Sequence, residues 1–426
     1  DPQDPDSGLG LLFDAILETM PGPKCDAQLP FQMLVANLDY SDYLGRLAIG
    51  KVMRGQVKSK DSLTRIGAGG EQVPLRVTKL QAYSGVSLQE VEAAAPGDII
   101  LISGLDEVHI GDTICDAATP EALERIVVDE PTVGMTFTVN SSPLAGREGK
   151  IVQGQKIGER LRKEILFNVG LEVEAEPGRD AFLVKGRGEL QLAVLIETMR
   201  REGFELSVGR PQVLFKEKDG ELLEPIERVI IDCEERALGV ISEKLSQRKG
   251  RMVNLINHGS GRIRAEFSIP SRGLIGYRTQ FLTDTRGSGI MNSYLEGFEP
   301  HRGDFPSRTT GSLVADRSGE AVAYALFNLE PRGRLFVVPG DEVYEGMVIG
   351  ENSRGQDLNV NPCKGKKLTN MRAAGKDENV QLTPVIPLTL EQAIEFIRED
   401  ESIEITPKSI RLRKLKLKAN ERRERL

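Results

Sequence analysis

The stretch Ala181-Phe182-Leu183-Val184-Lys185-Gly186-Arg187-Gly188-Glu189-Leu190, with its continuation to Arg201, decides the fold. Its first half is a β-rich run that predicts a strand over 181–185. Gly186-Arg187-Gly188 predicts a tight turn. From Glu189 the period changes, and Leu192, Leu195, Ile196 and Met199 fall on one face of a helix over 189–201. Upstream, Glu176-Pro177-Gly178-Arg179 joins this unit to a strand over 171–175. Before that lie a helix over 149–167, with Ile157, Leu161 and Ile165 four apart, and a strand over 133–139. Downstream, 204–208 closes the set. The order is β-α-β-β-α-β, the split βαβ or ferredoxin-like arrangement.

Residues 223–298 repeat that order. Strands are predicted over 225–233, 251–257, 262–269 and 290–298. Helices are predicted over 237–245, with Leu238, Ile241 and Leu245 aligned, and over 274–283. Two consecutive copies of one topology make an internal repeat. Residues 29–118 carry short β-rich runs at 31–38, 46–52, 61–66, 73–80 and 99–102, the spacing of a sandwich or barrel. Ahead of them a helix with Leu12, Phe13, Ile16 and Leu17 stops at Met20-Pro21-Gly22-Pro23. It is expected to be the last element of a domain absent from the chain. Strand-like runs at 334–338, 347–349, 403–406 and 409–413 mark the last region. There Thr389 and Gln392 predict a capping box for a helix bearing Leu390, Ala393, Ile394 and Ile397.

The expected fold class is multi-domain α+β: a β-barrel, two ferredoxin-like βαββαβ domains and a mixed, mainly β C-terminal domain. The boundaries are 1–28 (remnant helix and linker), 29–118, 119–217, 218–299 and 300–426, with a basic loop at 362–379.

Composition narrows the chemistry. The 426 residues carry a net charge of −8, four Cys and three His. Cys25, Cys115, Cys233 and Cys363 form no C-x-x-C pair, so neither a zinc nor a redox motif is supported. No apolar run approaches the roughly 20 residues of a membrane helix. A phosphate-binding G-x-x-x-x-G-K-[ST] loop, a G-x-S-x-G elbow and H-E-x-x-H are all missing. Asp232, Glu234 and Glu235 sit at a strand-to-helix joint, where capping explains them. No catalytic, cofactor or metal residue is assigned, and the chain is expected not to be an enzyme.

Charge is uneven. Residues 401–426 hold nine Lys/Arg against four Asp/Glu, so that block is +5 and the rest −13. The segment from Pro362 to Lys376 has five basic groups before its first acid, Asp377. As a doubled-back loop of roughly 18 residues it could reach about 30 Å. Lys364, Lys366, Lys367, Asn370, Arg372 and Lys376 are its candidate RNA contacts, since cations meet phosphates and amides meet ribose or base. A second basic surface is expected from Lys408, Arg411, Arg413, Lys414, Lys416 and Lys418, whose alternation would place charge on one strand face. Arg272, in Ser271-Arg272-Gly273-Leu274, is a further candidate RNA contact. A solvated loop and a protective edge are the competing explanations.

Several motifs resemble translational GTPases related to elongation factor G. Gly45-Arg46, Gly50-Lys51-Val52, Gly55 and Pro96-Gly97-Asp98 are similar to the barrel after their GTPase domain. Gly186-Arg187-Gly188-Glu189-Leu190 and Gly209-Arg210-Pro211-Gln212-Val213 resemble their first ferredoxin-like domain. Pro225-Ile226, Arg248-Lys249-Gly250 and Gly276-Tyr277-Arg278-Thr279 resemble the second. Ser271 to Tyr277 and Gly365 to Arg372 resemble the BipA/TypA family, as does the C-terminal region. The resemblance implies a cytoplasmic, monomeric factor acting in translation regulation, ribosome biogenesis or stress response. Its implied partners are the ribosome (ribosomal RNA and proteins) and A-site tRNA. GTP and Mg2+ are implied for an N-terminal domain expected to be absent here. A LepA-type elongation factor fragment, a small-molecule enzyme with paired ferredoxin-like domains and a protein-binding regulator are the alternatives.

Overall fold

The computed structural model describes residues 9–20, 26–41, 43–85, 87–105, 107–257, 259, 261–305, 308–365, 381–385 and 387–422. Two compact units account for it: Asp1–Val128 with Lys163–Val169, and Asp129–Arg162 with Gly170–Leu426.

In the first unit eight antiparallel strands form one sheet. Their order is Gln72–Arg76, Ser62–Ile66, Thr113–Asp116, Gln32–Ser41, Gly45–Arg54, Ile99–Leu105, Lys79–Ser84 and Ser87–Glu90. Alternation turns Met33 and Val35 into a core shared with Ile100, Ile102 and Ile114. Gly50 packs so closely that a Cβ would lie 2.2 Å from the Leu34 carbonyl oxygen. The single run predicted over 73–80 is two strands. Val77 donates its N–H to the Asp61 carbonyl and Thr78 donates to that of Ser103, so the chain crosses between distant places in the sheet. The turn before Thr113 is locked by charge: buried Asp112 accepts from Arg125 at 2.7 Å and from the His109 N–H at 2.9 Å. The helix Gly10–Thr19 has no buried residue.

The second unit opens on strand Val133–Val139, helix Gly154–Glu164, strands Glu172–Ala175 and Ala181–Gly186, helix Glu189–Arg201 and strand Leu206–Val208. The first helix starts later than the pattern over 149–167 predicts, because Ile151 forms an extended bridge with Phe204 and exchanges backbone hydrogen bonds with Gly203 and Glu205. In the sheet the four strands lie in the order second, third, first, fourth. Strands Glu221–Glu234, Arg251–Asn257, Arg262–Pro270 and Ile290–Pro300 adopt the same relative order. The helix predicted over 274–283 is two pieces, Ser271–Leu274 and Tyr277–Asp284, broken where Gly276 takes a φ of 71°.

The last region continues the sheet of the first βαββαβ set. Leu206, Ser207 and Val208 pair antiparallel with Ile405, Glu404 and Ile403. Beyond strand Glu401–Ile405 the order runs Ile410–Lys414, Met347–Asn352, Gly311–Ala315 and Leu358–Val360; with Gln212–Val213 on Val133–Val139 and Gly333–Leu335 on Met347–Asn352, the sheet has eleven strands. Helix Leu390–Phe396 has the predicted capping box from Thr389 and Gln392.

Candidate nucleic-acid interface

The basic segment is framed by its two anchors. On the entering side, strand Leu358–Val360 runs parallel to Gly311–Ala315, and the Pro362 carbonyl accepts from the Val322 N–H at 3.0 Å. Cys363 packs against the buried cluster that includes Leu313, Tyr344 and Ile349, and its N–H donates to Asn361 Oδ1. Lys364 then points into solvent. On the returning side, Leu382 and Val385 pack on that same cluster, and the Thr383 N–H donates to Glu330 Oε1 at 2.6 Å. Lys366, Lys367, Asn370, Arg372 and Lys376 lie outside the described residues.

The second expected surface is different from its prediction. Lys408, Lys416 and Lys418 are exposed. Arg411, Arg413 and Lys414 are engaged inside the protein. Arg411 bridges Glu404, at 3.1 Å, and Glu148. Burial works against the Glu148 charge, but hydrogen bonds from Thr406 and Arg411 outweigh it and hold the carboxyl below its ordinary range. Arg413 is buried and donates to Ser141 Oγ at 3.0 Å. Lys414 is 1% exposed and meets Asp357 at 2.5 Å, Asp400 at 2.8 Å and Glu401 at 2.9 Å. Burial opposes its charge, yet Glu401, Asp357 and Asp400 raise its pKa above the usual lysine value. The expected basic face over Arg411, Arg413, Lys414, Lys416 and Lys418 is therefore not one solvent surface: its first three cations meet protein.

Arg272 is also a brace rather than a surface contact. Its guanidinium pairs with the fully buried Glu224 at 2.5 Å, donates to the Gly303 carbonyl at 2.7 Å and stacks over Phe305.

The structure assembles a further cationic surface from residues that no sequence pattern groups. Arg210, Arg248, Arg272, Arg308 and Arg334 line one cleft of about 460 Å³ with Phe336 and Phe396. Arg308 lies 3.8 Å over the Phe396 ring, and the two phenylalanines meet edge to face at 5.1 Å. These arginines come from all three parts of the second unit, so no local pattern could have grouped them, although Arg272 is singled out by its own motif.

Among the described residues no group of three or more His, Cys, Asp or Glu is placed to hold a metal ion. None of the described helices is long and apolar enough to cross a membrane.

Three family profiles match the chain: elongation factor G domain 2 at 30–117, the elongation factor G C-terminus at 221–309 and the TypA/BipA C-terminal domain at 310–419. Relatives named large ribosomal subunit assembly factor BipA match nearly all of it. The protein from Escherichia coli (strain K12) is 49% identical over 413 residues, covering 97% of this chain and 68% of its own. That from Haemophilus influenzae is 48% identical, with 97% and 67% covered, and that from Bacillus subtilis 45%, with 99% and 69%. A solved structure from Thermus thermophilus aligns at 18% identity and a TM-score of 0.46, covering 69% of this chain and 59% of that one. That similarity is too distant to bear on function. The matches to the curated relatives correct the expectation that the chain is not an enzyme. Kinship along 97% of its length places it with those proteins, not in a separate non-enzymatic class.

Proposed function

The chain belongs to the BipA/TypA family of translational GTPases, and from that membership we propose that it binds the large ribosomal subunit, or a precursor of it, as an assembly factor. In this reading residues 30–117 are a factor-type β-barrel. The two βαββαβ sets are ferredoxin-like domains that carry the C-terminal region to RNA. Lys364, Lys366, Lys367, Asn370, Arg372 and Lys376 make the principal contacts, with exposed Lys408, Lys416 and Lys418 in support. A-site tRNA is the second partner, and the factor acts as a cytoplasmic monomer.

One observation carries this reading. Both ends of the basic segment are fastened to a single buried cluster, through Cys363 on one side and Leu382 and Val385 on the other. Fixed ends lower the ordering cost of binding for the segment between them. Phosphate contacts supply most of the affinity and make it salt-dependent.

GTP with Mg2+ supplies the family's phosphoryl-transfer chemistry. Of the Gly-Lys pairs in the sequence, the one at Gly149-Lys150 does not fit that group. The Gly149 N–H, beside Lys150, donates to Glu205 Oε2 at 2.9 Å, so it faces a carboxylate rather than a phosphate.

The test is sedimentation with large ribosomal subunits across a salt series. Lys364→Ala, Lys366→Ala and Lys367→Ala together should weaken binding and lower the salt slope by about 2, at about 0.7 per lost contact. Thermal melting should be unchanged. Wild-type binding by the triple variant at every salt concentration would remove the segment from the interface.

A further inference from the structure

The cleft of about 460 Å³ has an unbalanced charge. Arg272 and Arg308 are matched to buried Glu224 and Glu401. Arg210, Arg248 and Arg334 have no ion pair with any carboxylate among the described residues. Glu351 and Glu395 also line the cleft, accept hydrogen bonds from Thr310 and Thr279, and offset part of the charge, so with Glu224 and Glu401 five guanidiniums meet four carboxylates. Arg248 donates to the carbonyls of Gly273 and Ile275, which orient the guanidinium without neutralising it. Burial already lowers its pKa below the usual arginine value. Glu395 and Glu189 act on it only at a distance. A partly desolvated cation without a directly paired carboxylate is costly, and an entering anion relieves that cost. The Arg308 Nε is buried with no hydrogen-bond partner among the described residues.

Two further features define the ligand. Phe336 and Phe396 bring apolar ring surface to the same cleft, and its volume lies in the range of small-ligand sites. Guanidinium forks match phosphate oxygens, and aromatic faces accept unstacked bases. We propose that this cleft binds a nucleotide, its phosphate held by Arg210, Arg248 and Arg334 and its base packed against Phe336 and Phe396. The nucleotide is either a splayed-out residue of single-stranded RNA or a free one. The site is independent of the basic segment at 362–379 and does not require it.

The test is calorimetry on the full chain with three probes: inorganic pyrophosphate, adenosine 5′-monophosphate and a 5′-phosphorylated single-stranded RNA tetranucleotide. Arg210→Ala and Arg334→Ala remove cations with no internal ion pair, and melting curves confirm that each variant is folded. Each should weaken all three probes by about tenfold, as loss of a charge-assisted hydrogen bond does. Phe336→Ala should weaken adenosine monophosphate and the tetranucleotide while sparing pyrophosphate. Tighter binding of the tetranucleotide than of the monophosphate assigns the site to RNA, and equal affinities assign it to a free nucleotide. The proposal is overturned if no probe binds, if neither arginine substitution changes binding, or if Phe336→Ala affects pyrophosphate as much as the others. Lys364→Ala should change none of these affinities, so this test and the ribosome sedimentation can fail separately.

Discussion

Replacing Lys414 by Met should loosen the hairpin of strands Glu401–Ile405 and Ile410–Lys414 far more than a surface lysine could. The ammonium is 1% exposed and sits among three carboxylates. Asp400 is 60% exposed at its side chain and contributes little. Glu401 is fully buried and Asp357 one-third exposed, so these two lose the counter-charge that matters. Met keeps the length and apolar stem of the side chain, so the change isolates charge from packing. Removing one partner of a buried pair costs about 3–5 kcal/mol. Glu401 keeps Arg308 at 3.4 Å, Ser312 Oγ at 2.6 Å and the Arg398 N–H at 2.8 Å, which points to the lower half of that range. A multi-domain chain does not unfold in one transition, so hydrogen exchange within the hairpin is the appropriate readout. Protection there should fall by roughly two to three orders of magnitude at pH 7. The sign with pH follows from Asp357. Burial raises its pKa, but hydrogen bonds from Lys414 and the Ser312 N–H prevail and depress it. A depressed carboxyl stabilises above its unfolded pKa of about 3.9, and that contribution is lost as pH falls through the lower folded value. Without Lys414 the Asp357 carboxyl takes up a proton more readily. The deficit of the variant should therefore be largest at pH 7 and shrink towards pH 4. Protection within threefold of wild type at pH 7, or a deficit that grows on acidification, would refute this account.

Other expectations follow from single contacts. Arg272→Ala strands the buried Glu224 carboxylate and should destabilise its surroundings by about 3 kcal/mol, read by local hydrogen exchange. Glu189 is raised to about 7, chiefly by burial, against a hydrogen bond from the Gly276 N–H. A raised carboxyl contributes stability that is present below its unfolded pKa and lost as pH rises through the folded value. Glu189→Gln should therefore be the more stable protein at pH 8, with a smaller loss between pH 5 and 8 in thermal melts. Thr389→Ala removes the acceptor for the Gln392 N–H and should cost about 1 kcal/mol in exchange protection of helix Leu390–Phe396.

Much of the architecture was legible because it is local. The switch of period at Gly186-Arg187-Gly188 separates strand Ala181–Gly186 from helix Glu189–Arg201, and Leu192, Leu195, Ile196 and Met199 are all buried there. Thr389 and Gln392 likewise announce their helix within four residues. What failed depends on partners remote in sequence. The alternating charges at Arg411 and Arg413 have the pattern of a solvated edge, and only Glu148 and Ser141, more than 250 residues away, show otherwise. Strand Gly311–Ala315 is buried at every position, so it has no alternation to detect. The arginine cleft has no sequence signal as a group, although Arg272 alone is flagged: its residues come together only when three parts of the second unit have packed.

The pairing of Leu206–Val208 with Ile403–Ile405 has a consequence for how the protein is made. The first βαββαβ set leaves the ribosome long before its neighbouring strand exists. At about 5–20 residues per second, the interval is roughly 10–40 s. Throughout that time the Leu206 edge presents unpaired N–H and C=O groups, which can template pairing with another nascent chain. Release of the C-terminus closes that window. Chains cut short before Glu401 would keep the edge open permanently, so premature termination should yield aggregation rather than a merely shortened factor.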